Sequence, residues 1–177
     1  MEEDKRIVAK IIAGDINQYE LLVKKYQQAV YRIILKITGD TENAKEVTQV
    51  VFVKAYESIK QYKPDYKFFS WIYRIAINSA LMYVKQNKNF TPIEQLKEMA
   101  SDSEPDSKRD QSKLLNEALQ QLPEKYLSVI VLKYYAGNTY HEIAEIKGID
   151  EKRVKSRLFD GRKILKDILV SKGIFLD

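Results

Sequence analysis

The chain has 177 residues, which is enough for one domain of ordinary size or for two small ones. Apolar residues make up 45% of it, so packed cores can form, and a formal net charge of +5 favours an anionic partner. The absence of cysteine excludes disulfide bonds and thiolate metal sites, and the six glycines and four prolines argue against an interrupted sheet fold.

The opening residues, MEEDKRIVAK, are mostly charged and contain no apolar core of a secretory signal peptide. No run in the chain approaches the roughly 20 apolar residues that a membrane span requires. Together with the lack of cysteine, these features fit a reducing compartment, so we expect a cytoplasmic protein that is not inserted in a membrane.

The first half, residues 1–88, shows helical periodicity without strand signals, which predicts a compact all-α bundle. Glycine at position 39 predicts the end of the second helix, and Thr41 is a possible cap of the third. The predicted helices run from Glu3 to Ala13, from Asp15 or Asn17 to Thr38, from about Glu42 to Gln61, and from Tyr66 or Phe68 to about Gln86. In the third helix the expected apolar contacts come from Val47, Val50, Val51, Val53, Ala55 and Ile59.

Aromatic and basic side chains are mixed in and around the fourth helix. Aromatic faces stack on unpaired bases at about 1–3 kcal/mol per base, while cations hold the phosphates nearby. Such a surface suits single-stranded nucleic acid, although some of these rings must belong to the core. The aromatic residues are Tyr62, Tyr66, Phe68, Phe69, Trp71, Tyr73 and Tyr83.

A polar segment at 89–110 separates the two halves. It contains two prolines and several serines, and carries three basic against six acidic side chains. This composition predicts a flexible linker. A surface loop within one domain is the alternative.

The second half, 111–177, predicts a further helical unit that ends in a helix-turn-helix. One helix spans Ser112 to Gln121, and the next continues from Pro123 to about Ala136. Two helices then follow over Thr139 to Lys166. Between them Gly148 can adopt the positive φ that a helix C-terminus needs, and Asp150 can cap the last helix.

The last helix has an inward stripe and a basic outward face. Val154, Leu158, Gly161 and Leu165 recur at helical spacing, and the segment from Lys147 to Lys166 holds eight Lys or Arg against three Asp or Glu. A helix-turn-helix whose second helix is basic is the form that enters a DNA major groove. An ordinary helical hairpin with a solvated basic face is the alternative.

Signals of catalysis are missing from the sequence. The single histidine, His141, lies at an outward helical position, the acidic residues do not cluster as metal ligands would, and there is no glycine-rich phosphate loop or nucleophile elbow. We therefore expect neither an enzyme nor a cofactor.

Two parts of the chain resemble a known family. TGDTENAKEVTQVVF and SWIYRIAIN are similar to region two of bacterial sigma factors, and LPEKYLSVIVLKYY with YHEIAEIKGIDEKRVKSRL is similar to region four. The order of these motifs and the short chain resemble the extracytoplasmic-function group, which keeps only these two regions joined by a linker. The co-occurrence of all the motifs is far more specific than a single helix-turn-helix.

The resemblance implies a protein that binds core RNA polymerase, directs it to promoters and helps to open the DNA. It places the third helix on the clamp helices of the largest polymerase subunit and region four near the flap. The implied polymerase-binding residues are Glu46, Gln49 and Phe52, of which Phe52 is also a candidate for packing.

The same resemblance assigns DNA contacts to the fourth and the last helix. For the downstream, minus-ten element the implied residues are Phe68, Phe69, Trp71, Tyr73, Arg74 and Asn78. For the upstream, minus-thirty-five element they are Lys152, Arg153, Lys155, Ser156, Arg157, Phe159 and Arg162. Among these, we expect Lys152, Ser156 and Phe159 to face bases and Lys155, Arg157 and Arg162 to face phosphate.

Several positions depart from the family pattern, so we predict no upstream DNA sequence. Val50 stands where an acidic residue is usual, Met82 replaces a common aspartate, the pair at 152 and 153 replaces Gly-Thr, and Asp160 stands where a basic residue is common. The resemblance also implies an anti-sigma partner that covers the same surfaces. The alternatives are a free-standing helix-turn-helix regulator, which leaves the first ninety residues unexplained, and an enzyme acting on single strands.

Overall fold

The computed structural model describes residues 2–87 and 106–173 and, in the second span, the side chains from Ser112 onward. Every regular element in these two spans is helical. In the first span the elements are α1 Glu2–Ile12, a 3-10 turn Ile16–Gln18, α2 Tyr19–Thr38, α3 Thr41–Glu57, a 3-10 turn Ile59–Gln61 and α4 Phe68–Asn87. In the second span they are α5 Asp106–Gln120, α6 Glu124–Tyr134, α7 Tyr140–Lys147 and α8 Glu151–Ser171. The predicted all-α class is confirmed.

The core of the first half lies between α2, α3 and α4. Their fully buried side chains include Leu22, Ile33, Ile34, Val51 and Ile72. Each such aliphatic side chain contributes about 1.5–3 kcal/mol through removal from water. Helix α1 closes one side of this bundle, where Asp4 is buried and accepts hydrogen bonds from the Tyr26 hydroxyl at 2.8 Å and from Lys25 at 2.6 Å.

The core of the second half is built by α6, α7 and α8. The buried residues Val129, Leu132, Ile143, Ile146 and Val154 lie at its centre. Helix α5 packs against α8. The predicted pair of four-helix units is therefore present, and the two units are also in contact with each other through α2, α5 and α6, and through α4 and α7.

The α2–α5 contact surrounds Lys36. Its Nζ donates to Asn116 Oδ1 at 2.7 Å and lies 4.8 Å from the centre of the Tyr135 ring, while Gln120 donates to the Lys36 carbonyl at 2.9 Å. Burial lowers the pKa of Lys36, since the charged ammonium is partly removed from water. These residues join the two units next to Gly39.

Helix boundaries differ from the prediction at several places, and α8 continues to Ser171, five residues beyond the predicted end at Lys166. The cap of α3 is Asp40 and not Thr41, because the Asp40 carboxylate accepts from the Asn43 N–H at 2.8 Å. Helix α3 ends at Glu57, where the Ser58 hydroxyl donates to the Lys54 carbonyl and a 3-10 turn follows.

Helix α5 also differs from the prediction, because it begins at Asp106 instead of Ser112. No glycine or proline occurs between these positions to stop it. Most of the predicted linker, 89–105, lies outside the described residues.

Two valines of α3 were placed wrongly. Val50 and Val53 are exposed, at 41% and 57%, whereas Val47, Val51 and Ala55 are buried. The buried residues recur every four positions, which is one stripe of a helix, and Val50 and Val53 lie off that stripe. The apolar character of α3 therefore extends onto its solvent face.

Candidate nucleic-acid interface

The helix-turn-helix forms as the sequence predicts. Gly148 adopts φ 64° and ends α7, and the Asp150 carboxylate accepts from the Arg153 N–H at 2.7 Å at the start of α8. This hydrogen bond lowers the pKa of Asp150. The turn between the two helices is therefore held by one left-handed residue and one cap.

Helix α7 begins with a capping box. The Glu142 N–H donates to Thr139 Oγ1 at 3.2 Å, and the Thr139 N–H donates to Glu142 Oε2 at 2.9 Å. These two bonds satisfy amides that the first turn leaves without helical partners. Thr139 is thus confirmed as the cap, and Glu142 has one carboxylate oxygen left for another partner.

Helix α8 approaches α6 closely at Gly161. A Cβ at this position would lie 3.0 Å from Ile130 Cδ1 and 3.1 Å from Tyr126 Cβ. Val154 and Leu158 are buried on the same stripe, and Leu165 is partly buried. The inward stripe of α8 is therefore as predicted, and its opposite side is left to solvent.

All the residues assigned to the upstream element lie on the first turns of α8, and most are exposed. Phe159 is 64% exposed, the highest value among the large apolar side chains of the described residues. Of the charged side chains only Arg157 is partly buried. The exposed members are Lys152, Arg153, Lys155, Ser156, Phe159 and Arg162.

Tyr140 adds an aromatic element to this surface that the sequence analysis missed. Its ring centre is 4.9 Å from Lys133 Nζ and 5.7 Å from Lys155 Nζ. Cations at this distance are attracted to the ring face, so Tyr140 holds two positive charges at the start of α7. Its position directly after the capping Thr139 was visible in the sequence, but the two lysines come from other helices.

The structure separates the aromatic residues of α4 into two groups. Phe68 and Tyr73 are buried, at 1% and 8% exposure. The Phe68 ring lies 5.4–5.5 Å from those of Tyr26, Tyr62 and Trp71, measured between ring centres. These two rings belong to the core, so their assignment to the DNA surface is corrected. Spacing could have shown this for Phe68, because Phe68, Ile72, Ala76 and Ala80 repeat every four residues and all are buried.

The other predicted residues of α4 are accessible to different degrees. Phe69 and Trp71 are half-buried, and Arg74 and Asn78 are exposed. The Tyr62 hydroxyl donates to the Tyr66 carbonyl at 2.7 Å, which fixes the loop before α4. Trp71, Arg74 and Asn78 lie on one side of α4, which therefore offers a partly covered ring, a guanidinium and an amide, while Phe69 lies on a different side of the helix.

That side of α4 faces α7. Lys67 Nζ lies 2.8 Å from Glu142 Oε1, and Arg74 donates from Nε to the Ile146 carbonyl at 2.9 Å and from Nη2 to the Glu145 carbonyl. A cleft of about 930 Å³ lies between the helices and is lined by Trp71, Arg74, Ile75, Asn78, Ala144 and Ile149, among others. The sequence analysis missed this pairing, because no local pattern indicates which helix of one unit meets which helix of the other.

Glu142 is held ionised by this arrangement. Its partial burial raises the pKa, but hydrogen bonds from Lys67 and Thr139 outweigh that effect, so the pKa of Glu142 lies below its ordinary value. The same ion pair raises the pKa of Lys67. Both partners therefore carry their charges at neutral pH.

The residues assigned to polymerase binding are split between surface and core. Glu46 and Gln49 are exposed on α3, whereas Phe52 is buried at 8%. The Phe52 carbonyl accepts from the Tyr19 hydroxyl at 2.6 Å, and Tyr19 packs edge-on against Tyr56 at 5.1 Å between ring centres. Phe52 therefore has the packing role that was its alternative.

Within 2–87 and 106–173 no group of three or more His, Cys, Asp or Glu side chains is arranged to hold a metal ion. None of the helices in those two spans has the length and the apolar content needed to cross a membrane. His141 is exposed and lies 3.1 Å from Glu151, in agreement with its predicted outward position.

Comparisons with known proteins agree on both halves. The family model for Sigma-70 region 2 matches residues 22–90, and the model for Sigma-70, region 4 matches residues 112–165. The RNA polymerase sigma-H factor of Pseudomonas aeruginosa is 28% identical over 182 residues, which cover 95% of this chain and 94% of that protein. The ECF RNA polymerase sigma-E factor of Escherichia coli is 28% identical over 178 residues, which cover 92% of each chain.

Solved structures with the same fold were also found. The structure of CnrH in complex with the cytosolic domain of CnrY has a TM-score of 0.73 at 21% identity and covers 95% of this chain and 97% of that one. The sigma factor RpoE of Bartonella quintana, in complex with the anti-sigma factor NepR, has a TM-score of 0.69 at 18% identity over 86% of this chain and 96% of that one. At these identities the likeness concerns the fold.

Proposed function

Since this chain belongs to the extracytoplasmic-function group of the sigma-70 family, it is an RNA polymerase sigma factor, and we propose how its two helical halves divide that work. In this proposal residues 1–88 bind core polymerase and open the downstream promoter element. Residues 111–177 read the upstream element, and 89–110 link the two. The chain itself performs no bond chemistry, which is left to the polymerase.

The observation that carries this division is the presence of a different exposed surface on each half. Helix α8 presents a basic face whose seven assigned residues lie within three turns, and α3 presents a mixed polar and apolar face. A basic helix of a helix-turn-helix suits duplex DNA, whereas a mixed face suits a protein partner.

For polymerase binding we propose the outward side of α3. Glu46 and Gln49 supply polar groups there, and the exposed Val50, Val53 and Tyr56 supply apolar area. Protein interfaces combine an apolar centre with a polar rim, and such an α3 face provides both. The clamp helices of the largest polymerase subunit are the proposed partner. Val50, which stands where the family pattern usually has an acidic residue, would replace a polar contact by an apolar one.

For opening of the downstream element we propose Phe69, Trp71, Arg74 and Asn78 of α4. Half-buried rings can stack on an unpaired base at about 1–3 kcal/mol, and the guanidinium and amide supply hydrogen bonds to phosphate and base. Binding the unstacked strand more tightly than the duplex shifts the equilibrium towards open DNA. Melting then needs no catalytic group.

For the upstream element we propose that α8 enters the major groove. Lys152, Ser156 and Phe159 would face bases, and Lys155, Arg157 and Arg162 would face phosphates. Arg153 is exposed beside them. Tyr140 holds Lys155 through its ring and thereby supports the phosphate contacts.

Each half alone should bind its target weakly, and the link between them should make the pair tight. Once one half is bound, the second binds intramolecularly at an effective concentration set by the linker. Core polymerase would hold both halves at the separation of the two promoter elements.

We further propose a cytoplasmic location and an anti-sigma partner. The location follows from the partner, since core polymerase is cytoplasmic. Two proteins of the same fold were solved together with the cytosolic domain of CnrY and with the anti-sigma factor NepR. An inhibitor of this kind would cover the α3, α4 and α8 surfaces of this chain.

Run-off transcription with purified core polymerase tests the proposal. On promoters of the source genome we expect a specific product only when the chain is present. The Glu46→Ala, Gln49→Ala double variant should weaken polymerase binding about thirtyfold, the size of one interface hot spot of about 2 kcal/mol. Glu20→Ala removes an exposed carboxylate from α2 and is the matched control. Selective binding of the free chain to a palindromic duplex, without need of polymerase, would contradict the proposal.

A further inference from the structure

Tyr62 lies between the core of the first half and the loop that precedes α4. The residue is only 5% exposed. The centre of its ring lies 5.5 Å from that of Phe68 and 5.7 Å from that of Trp71. The Tyr62 ring is therefore held by packing, and one of the rings that hold it belongs to the surface proposed for the downstream strand.

The hydroxyl of Tyr62 binds the backbone of the loop. It donates to the Tyr66 carbonyl at 2.7 Å. Burial raises the pKa of Tyr62, and the charges of Asp4 and Glu145 act in the same direction, so the hydroxyl keeps its hydrogen at neutral pH. Because the ring is packed in the core, it cannot follow a carbonyl that moves away, and the hydrogen bond restricts the loop.

The loop between the two tyrosines is a tight turn. The Tyr66 N–H donates to the Lys63 carbonyl at 3.1 Å, which is the hydrogen bond of a four-residue β-turn. Pro64 occupies the second position of this turn, where its fixed φ favours the turn conformation. Both backbone polar groups of Tyr66 are therefore bound, the N–H within the turn and the carbonyl by Tyr62.

This turn presents the Tyr66 ring to solvent. Tyr66 is 52% exposed, and Lys63 in the same turn is exposed as well. Tyr66 borders the cleft that Trp71 and Arg74 also line, so it lies on the same side of the fold as those two side chains. Exposed rings next to cations are the arrangement that stacks unpaired bases and holds their phosphates.

From these contacts we infer that Tyr66 is a further stacking residue for the unpaired downstream strand, and that Tyr62 is the positioning residue that holds it beside Trp71. The Tyr62 hydroxyl fixes the turn before DNA binds, so the loop does not have to be ordered by the strand. Ordering in advance lowers the entropic cost of binding and thereby raises affinity. The role of Tyr66 in DNA opening rests on the proposed function, whereas the fixed turn does not.

Amide hydrogen exchange of the free chain, followed by nuclear magnetic resonance, tests the fixed turn. Tyr62→Phe removes the hydroxyl and keeps the packed ring. We expect the Tyr66 amide to exchange about fivefold faster in this variant, the effect of one hydrogen bond of about 1 kcal/mol on a local opening. Tyr31→Phe, which removes a hydroxyl from α2 of the same half, is the matched control and should leave the Tyr66 amide unchanged. An unchanged Tyr66 amide in Tyr62→Phe would overturn the inference.

The role of the Tyr66 ring is tested by binding of the holoenzyme to a fluorescent single-stranded oligonucleotide that carries the downstream element. Tyr66→Ala should weaken binding about fivefold or more, the effect of one base stacked on an aromatic ring, whereas Tyr66→Phe keeps the ring face and should bind like the parent. Tyr62→Phe should weaken binding about fivefold. Affinities for core polymerase and for upstream duplex should be unchanged in all three variants. Equal oligonucleotide binding by Tyr66→Ala and the parent would overturn the role of the ring.

The double variant Tyr62→Phe, Tyr66→Ala shows whether Tyr62 acts through Tyr66. A positioning role predicts that the double variant binds the oligonucleotide as weakly as Tyr66→Ala alone, and two losses that multiply would contradict that role.

Arg74→Ala and Asn78→Ala separate this inference from the proposed function. If these two variants weaken oligonucleotide binding and Tyr66→Ala does not, only the inference fails. If none of the three variants weakens it, the result counts against the role of α4 itself in DNA opening.

Discussion

Gly161 of α8 lies so close to Ile130 of α6 that a Cβ on the glycine would come within 3.0 Å of the isoleucine Cδ1. This is tighter than nine in ten real Cβ contacts, so the neighbouring side chain would have to shift by a few tenths of an ångström. The small residue therefore sets how closely the DNA-facing helix packs on the helix behind it. Tyr126, whose Cβ would lie 3.1 Å away on the same side, leaves no alternative space.

Gly161→Val should therefore destabilise the second half. Overpacking of this kind costs about 1–3 kcal/mol, measured as the change in the free energy of unfolding in urea. Gly161→Ala should cost less, because the gain of about 1 kcal/mol in helix propensity offsets part of the strain. Lys163→Ala, exposed on the same helix, should stay within about 0.5 kcal/mol of the parent. Equal stability of all three variants would show that α6 and α8 move apart without cost.

Phe68 provides a test of the corrected assignment on α4. Its ring is 1% exposed, so Phe68→Ala should leave a cavity and cost about 3–5 kcal/mol in the free energy of unfolding. Tyr66→Ala, which removes a ring that is 52% exposed in the preceding loop, should cost about 0.5 kcal/mol or less. If Phe68→Ala kept its stability and lost only promoter opening, the ring would belong to the DNA surface after all.

Local features of the sequence predicted the local features of the structure. The turn of the helix-turn-helix could be predicted because the positive φ of Gly148 and the N-cap of Asp150 each depend on a single residue and its neighbours in the chain. Periodicity located every helix of the described spans, but it did not tell which valines of α3 face inward, since Val50 and Val53 make the helix apolar on more than one side. Phe68 was misassigned because its place in the DNA-binding segment came from the resemblance, whereas its four-residue spacing with Ile72 and Ala76 puts it on the buried stripe of α4.

The side-chain contacts between the two helical halves could not be predicted from local sequence patterns. The ion pair of Lys67 with Glu142 joins residues 75 positions apart, and neither residue stands out in its own segment. Which residues pair across such a separation depends on how the surfaces of the two folded halves fit each other. The contacts with polymerase and DNA likewise depend on the surfaces of those partners, so the residues assigned to them stay predictions.

The pH dependence of the contact between α4 and α7 follows from Glu142. Its pKa is lower in the folded chain than the ordinary 4.5, so its contribution to stability is fully present above pH 4.5 and is lost as the pH falls through the lower, folded value. Lys67 stays charged throughout, because its own pKa is raised. The free energy of unfolding in urea, recorded between pH 7 and pH 4, should thus show this contribution decreasing below about pH 4.5.

Other carboxylates lie near the contact, among them Glu145, whose charge acts on Lys67. The Glu142→Gln variant separates their effect, since it lacks the group in question. We expect its free energy of unfolding to change less with pH than that of the parent. Parallel curves for the two proteins would assign the pH dependence to other groups.

The last prediction concerns which side chains of α8 contact bases and which contact phosphates. Lys152→Ala and Ser156→Ala should change the preferred upstream sequence, with about 1–3 kcal/mol lost in discrimination at the affected base pair, because a group facing a base edge acts on that pair alone. Arg162→Ala should weaken binding to all sequences alike and reduce the slope of log affinity against log salt by about 1, because a phosphate contact releases one counterion. Lys163→Ala, which removes an exposed cation of the same helix outside the assigned set, is the control for charge alone.

These effects are distinguished by measuring the affinity of the holoenzyme for a set of single-base variants of the upstream element at several salt concentrations. A uniform loss for Ser156→Ala or loss of polymerase binding for Lys152→Ala would mean that the roles on α8 are misassigned.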